Sequence, residues 1–229
     1  TRRAVIMAGD TGQSLYNYQS PFERAGINLR GNTRVLKTNF RNTRQIHEFA
    51  ERFRSLGPAP ETDHETEPFV FREGPLPEIY TGSTAEELLA YLTGCLKIYI
   101  GEIGYDPENI VILVPRNREL TAAAECLAEA GYESEVITGK DFDFSGTGKV
   151  RLSTLHSSKG LDFPVVFLYL PYLLRLHHYG AEEEEAMLRN LVYVGITRAM
   201  DNVVIFTAGS EGEGKGAAGP STDEPAAAP

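Results

Sequence analysis

Short apolar runs alternate with amphipathic stretches along most of the chain. AVIMAG (4–9), RVLKT (34–38), NIVILVP (109–115), SEVIT (134–138), VRLST (150–154) and PVVFLYL (164–170) read as strands, and the longest of them have no polar face. Strands apolar on both sides need cover on both sides, which is the pattern of a parallel sheet between helices. The helical periodicity is present as well. Ile46, Phe49, Ala50 and Phe53 form one stripe within 43–54. Ser83 or Thr84 is placed to cap a second helix, with Leu88, Leu89, Leu92, Leu96 and Tyr99 on its inner face. A third carries Leu120, Ala123, Ala124 and Leu127 and stops at Gly131, and a fourth is expected over 182–200, leading into the strand NVVIFTA. PEIYTG adds a short strand, and the Pro- and acid-rich stretch 57–77 reads as a surface excursion. The expectation is an α/β domain over 1–208, a mostly parallel sheet with helices on both faces. Residues 209–229 have no apolar periodicity and are expected to be disordered.

A chain of 229 residues can bury a substantial core. No apolar run reaches the roughly 18 to 20 residues of a membrane helix, and no signal-peptide pattern is present. Opening at Thr1 and running almost at once into a strand, the sequence reads as a piece of a longer, cytoplasmic protein. Cys95 and Cys126 sit in helical apolar patterns, as core residues of a reducing compartment do. The net charge of −10 weighs against a protein that coats DNA non-specifically, yet its distribution is uneven. Between 24 and 54, Arg24, Arg30, Arg34, Lys37, Arg41, Arg44, Arg52 and Arg54 face only Glu48 and Glu51. Such a zone suits a polyphosphate or a nucleic-acid strand, and equally suits a solvated face.

Four polar segments break the strand and helix pattern: AGDTGQSLYNYQS (8–20), LKTNFRNT (36–43), STLHSSKGLDF (153–163) and LVYVGITRA (191–199). The Gln13 amide both donates and accepts, and the rings of Tyr16 and Tyr18 can stack on any base. Arg41 offers a planar donor fork whose charge never titrates. Ser153 and Thr154 end a strand, so their hydroxyls and the Gly160 N–H are expected at the sheet's carboxyl edge, where such sheets bind ligands. Taken singly, the segments also fit a polar turn with packed tyrosines, a core Phe40 beside a surface ion pair, and a helix ending in an exposed Arg198.

Together and in this order, the four resemble the motifs of the second half of a superfamily 1 DNA helicase of the UvrD/Rep type. The resemblance implies a second RecA-like domain in which Gln13, Arg41 and Arg198 act on the γ-phosphate, Arg198 as an arginine finger. It assigns Phe40, Gly160 and Asp162 to the nucleotide, and Tyr16, Tyr18, Thr154, His156, Ser157 and Lys159 to single-stranded DNA. Asp162 stands where the family generally has Glu, and Gln19 where an Arg is common. ATP and Mg2+ would be held mainly by the amino-terminal RecA-like domain of the same parent chain. No phosphate loop is visible here: Gly209, Gly214 and Lys215 match its spacing, but Gly216 replaces the hydroxyl residue and no helix follows. No metal ligand set is visible either, since the adjacent His177 and His178 point apart. The implied function is the motor domain of an ATP-dependent DNA helicase or translocase, inactive as an isolated chain. The alternative is a degenerate helicase-like module that binds or regulates. The motor part of a helicase–nuclease is a third reading, without a nuclease carboxylate cluster in view. Many relatives carry a bulky extra domain before the third segment, whereas residues 116–149 leave room for a helix, a strand and a loop.

Overall fold

The computed structural model describes residues 38–53, 69–137, 142–171 and 182–208. The expected strand at 4–9, Gln13, Tyr16, Tyr18, His177, His178 and the tail from 209 lie outside these residues. The described chain runs β1 (Thr38–Thr43), α1 (Arg44–Glu51), β2 (Phe69–Arg72), β3 (Glu78–Gly82), α2 (Ala85–Ile98), β4 (Ile110–Val114), α3 (Asn117–Glu129), β5 (Ser134–Val136), β6 (Val150–Thr154), β7 (Phe163–Leu170), α4 (Glu182–Ile196) and β8 (Ala199–Ala208). Six strands form one sheet in the order β3-β8-β7-β4-β6-β5, with every described pairing parallel. β1 and β2 form a separate parallel pair.

The alternation of side chains along β4 shows why helices cover both faces. Val111 and Leu113 point into a core shared with Ile46 and Ala50 of α1 and Val192, Val194 and Ile196 of α4. Ile110, Ile112 and Val114 point the other way, into a core with Leu88, Leu92 and Leu96 of α2 and Ala123 and Leu127 of α3. All five β4 residues are buried, and burying each such side chain contributes about 1.5–3 kcal/mol. The start of α2 is capped as expected from the sequence. Thr84 Oγ1 accepts from Glu87 N at 3.2 Å, and Glu87 Oε2 accepts from Ser83 N at 2.7 Å. Thr43 Oγ1 caps α1 through Ile46 N at 3.3 Å. Cys95 is buried in α2, Cys126 is half-buried in α3, and both are free thiols.

Between β5 and β6, residues 142–149 fold over one buried cation. The Arg151 guanidinium carbon lies 5.1 Å from the Phe142 ring centroid and 6.0 Å from that of Phe144. Arg151 also pairs with Glu135 and donates to Gly146 O at 2.5 Å.

Three boundaries differ from the expected ones. Of the strand placed at 34–38 only Thr38 is among the described residues, and from there the strand continues to Thr43, so 38–43 of the second polar segment are themselves extended. Its partner β2 lies inside the stretch read as a surface excursion, because a four-residue strand is too short to show an alternation. The last helix ends at Ile196, not 200. Thr197 N closes its final turn on Tyr193 O, and the Thr197 and Ala199 carbonyls are taken by the Asn42 amide, which draws the chain into β8. Among the described residues, no helix is long and apolar enough to cross a membrane.

Gly195 is required by close approach. A Cβ there would lie 2.5 Å from Leu155 Cδ2 and 2.8 Å from Leu168 Cδ2, both on fully buried leucines. Gly195→Val is therefore expected to destabilise the fold by about 1–3 kcal/mol in urea unfolding. An unchanged midpoint and slope would show that this face of α4 has slack.

Candidate functional site

β6 and β7 run parallel with β4 between them, so residues 155–162 must return the chain from the sheet's carboxyl edge to its amino edge. Thr154 pairs at the level of Val114, and Val165 at the level of Ile110. That is four residues along β4, about 13 Å, and Asp162 lies further still toward the amino edge. The third polar segment thus touches both edges of the sheet. Thr154 stands at the carboxyl edge, while Asp162 lies at the other.

At the carboxyl edge the chain makes a tight turn held by its own hydroxyls. Thr154 Oγ1 accepts from Ser157 N at 3.1 Å and is 2.9 Å from Ser157 Oγ, while Ser158 N donates to Thr154 O at 3.0 Å. The buried Ser158 Oγ donates to Leu155 O at 2.9 Å. The turn leaves His156, Ser157 and Lys159 exposed and Thr154 half-buried. Gly160 follows with φ of 88°, a left-handed conformation that a side chain would strain. Leu155 N donates to Val114 O, so the next turn along this edge, with exposed Arg116 and Arg118, is a neighbour. These two cations were not singled out in the sequence, since each stands in an ordinary helix-start pattern.

At the amino edge three of the expected residues converge. Asp162 Oδ1 lies 3.0 Å from Arg41 Nε and 3.9 Å from Arg198 NH1. The two arginines differ sharply in setting. Arg41 and Asp162 keep 41% and 34% of their side-chain surface exposed, whereas Arg198 keeps 1%. Arg198 is therefore not an exposed residue at a helix end. Its Nε donates to Val194 O at 3.0 Å, NH1 to Leu161 O at 3.3 Å, and NH2 to Thr197 Oγ1 at 3.1 Å. Phe40, next to Arg41, is 68% exposed and so is not the core residue that its ring alone suggests.

Backbone and amide contacts tie this cluster together. Phe163 N donates to Arg198 O at 2.9 Å, joining the third and fourth segments. Asn42 Nδ2 reaches Thr197 O at 3.2 Å and Ala199 O at 2.5 Å, joining the second to the fourth. Arg72 pairs with Asp201 and donates to Arg41 O at 3.3 Å, fixing β2 and β1 to β8. Asn42 gave no signal in the sequence, where an Asn after Arg41 reads as a turn residue. The basic zone is partly matched by distant acids: Arg44 pairs with Glu73 at 2.6 Å. The Gln45 amide and then the Arg44 guanidinium hold the Glu73 carboxyl below its ordinary pKa. Among the described residues, no group of three or more His, Cys, Asp or Glu is placed to hold a metal ion.

The sequence and fold have relatives. Residues 139–210 match the UvrD-like helicase C-terminal domain family. A stretch of 113 residues is 33% identical to ATP-dependent DNA helicase UvrD1 of Mycobacterium tuberculosis (strain ATCC 25618 / H37Rv), covering 47% of this chain and 14% of that protein. A stretch of 62 residues is 45% identical to DNA helicase II of Escherichia coli (strain K12), covering 24% of this chain and 8% of that protein. This chain therefore corresponds to a small part of the length of these relatives. Among solved structures, the C-terminal domain of a possible DNA helicase from Lactobacillus plantarum WCFS1 superposes with a TM-score of 0.56 at 21% identity, covering 75% of this chain and 89% of that one. That likeness concerns the fold, which is the RecA-like α/β arrangement.

The burial contrast between the two arginines gives a stability prediction. Arg198→Met removes three donors from buried carbonyl and hydroxyl partners and is expected to cost about 1–3 kcal/mol. Arg41→Ala breaks a half-exposed pair and is expected to cost less than about 1 kcal/mol. Equal losses in chemical denaturation would contradict this assignment.

Proposed function

Since this chain carries a UvrD-like helicase C-terminal domain, we propose that it serves as the second motor domain of an ATP-dependent DNA helicase or translocase. The observation that carries the reading is the convergence of Arg41 and Arg198 on one carboxylate, with three of the four polar segments bonded to one another around it. Two guanidiniums against one carboxylate leave a net positive charge, suited to an incoming phosphate. Arg41 is half-exposed and can turn toward a γ-phosphate while Arg198 stabilises charge from a fixed position behind it. The exposed Phe40 ring beside them offers a face to an adenine base. Gln13 completes the set as the sensor of the phosphate or its attacking water. Gly160 and Asp162 border the same nucleotide.

Mg-ATP itself belongs, in this reading, to an amino-terminal RecA-like domain of the same parent. That domain supplies the phosphate loop and the magnesium-binding carboxylates. Single-stranded DNA runs along the opposite edge, over Thr154, His156, Ser157 and Lys159, with Tyr16 and Tyr18 as stacking rings. Closure of the two domains over ATP would pull on residues 155–162, which begin at the DNA edge and end at the nucleotide edge. Movement at one end is thereby transmitted to the other.

A second reading is favoured by one observation: Arg198 is buried and fully engaged, as in a module that binds or regulates without turnover. Kinetics separate the two. In the full-length protein, Arg198→Ala is expected to lower DNA-stimulated ATP turnover by about 10³-fold or more, and this chain alone should hydrolyse no ATP. Turnover insensitive to Arg198→Ala, or absent from the full-length protein altogether, favours the binding module.

The DNA edge has its own test. Lys159→Ala is expected to weaken single-stranded DNA binding regardless of sequence and to reduce the salt slope by about one. An unaltered slope in a fluorescence titration would remove Lys159 from the DNA path.

A further inference from the structure

We infer that Asn42 is the positioning residue that sets the separation of Arg41 from Arg198. The inference rests on the reading that both arginines serve one phosphate, and adds the part that fixes their geometry. Asn42 is buried, and one amide nitrogen donates to the carbonyls on both sides of Arg198, Thr197 O at 3.2 Å and Ala199 O at 2.5 Å. Arg41 is the residue before it on the same strand, so a single side chain connects the backbone of one arginine to the backbone flanking the other. β1 and β8 belong to different sheets, and no ladder of strand pairing sets their distance. The Arg41–Asp162 contact cannot do so alone, since both partners are substantially exposed and such pairs hold geometry weakly.

A further polar tie between these segments is Arg72, which pairs with Asp201 of β8 and donates to Arg41 O, while α1, directly after β1, packs on α4 in the same core. Both Arg72 and Asp201 keep part of their side chains in solvent. Asn42 is the buried member of these polar ties, and its amide meets the carbonyls on both sides of Arg198. Losing it leaves buried acceptors without that donor and frees the turn that carries Arg198.

Two substitutions separate donation from packing. Asn42→Asp keeps the size and removes the donor, while Asn42→Ser is smaller and retains one hydroxyl donor. In the full-length protein, Asn42→Asp is expected to lower kcat for ATP by about 10²-fold, the scale of a misplacement near 1 Å. KM for ATP should change by no more than roughly threefold, because the loss falls in the transition state rather than in ground-state binding. Asn42→Ser should fall between Asn42→Asp and the unsubstituted protein. In this chain by itself, the Arg198 Nε–H bonded to Val194 O should exchange with solvent about tenfold faster in Asn42→Asp. If the arginine substitutions abolish turnover while Asn42→Asp keeps its kcat and its slow Nε–H exchange, the inference fails and the phosphate reading stands. If Arg41→Ala and Arg198→Ala leave turnover intact, both fail together. Asn42→Ser losing more than Asn42→Asp would also overturn the inference, by showing that volume and not donation matters.

Discussion

Two parallel strands that are not neighbours have to be joined by a segment that runs the length of the sheet. In this domain the segment between β6 and β7 has eight residues, 155–162, where parallel connections more often use a helix and a dozen residues or more. Little of it is free to wander. Its first half is a hydroxyl-braced turn at one edge, and its end is bonded to the approach of β8 at the other. The arrangement of polar chemistry follows from that geometry. His156, Ser157 and Lys159 stand exposed where the segment starts, and Asp162 meets Arg41 and Arg198 where it finishes.

At the amino edge, rigidity and access are divided between two side chains of the same type. Arg198 is fixed by carbonyls of its own helix and of the segment beside it, at the cost of exposure. Arg41 stays half-exposed, its Nε paired with a carboxylate that is itself half-exposed. Buried cations are expensive unless their donors have partners, and here Val194 O, Leu161 O and Thr197 Oγ1 supply them. The small size of Gly195 lets that helix lie close enough to Leu155 and Leu168 for its carbonyls to be in place.

The sheet and its two layers of helices were legible because both signals are long: fully apolar strands and stripes of period 3.6 in 85–98 and 117–129. Strand β2 was not, since four residues carry too little periodicity and its neighbours are proline and acid. The polar segments could be read as chemistry, and Arg41, Asp162 and Arg198 do meet. Their environments could not be read. Burial of Arg198 depends on a turn whose position is set by Asn42, 155 residues away from Thr197 in sequence. The edge on which each part of 153–163 falls depends on strand order, which local pattern does not encode. Asn42 itself is a contact between distant segments and leaves no trace in spacing.

Arg151 has an implication for how this scaffold accommodates change. Its charge is enclosed by two phenylalanine rings and one acidic partner, all from the short connection leading to β6 and from β5. Residues 142–149 act as a plug, and rebuilding them would strand a positive charge in the interior unless Glu135 and the rings were kept. The length of this connection is therefore constrained by the charge it covers.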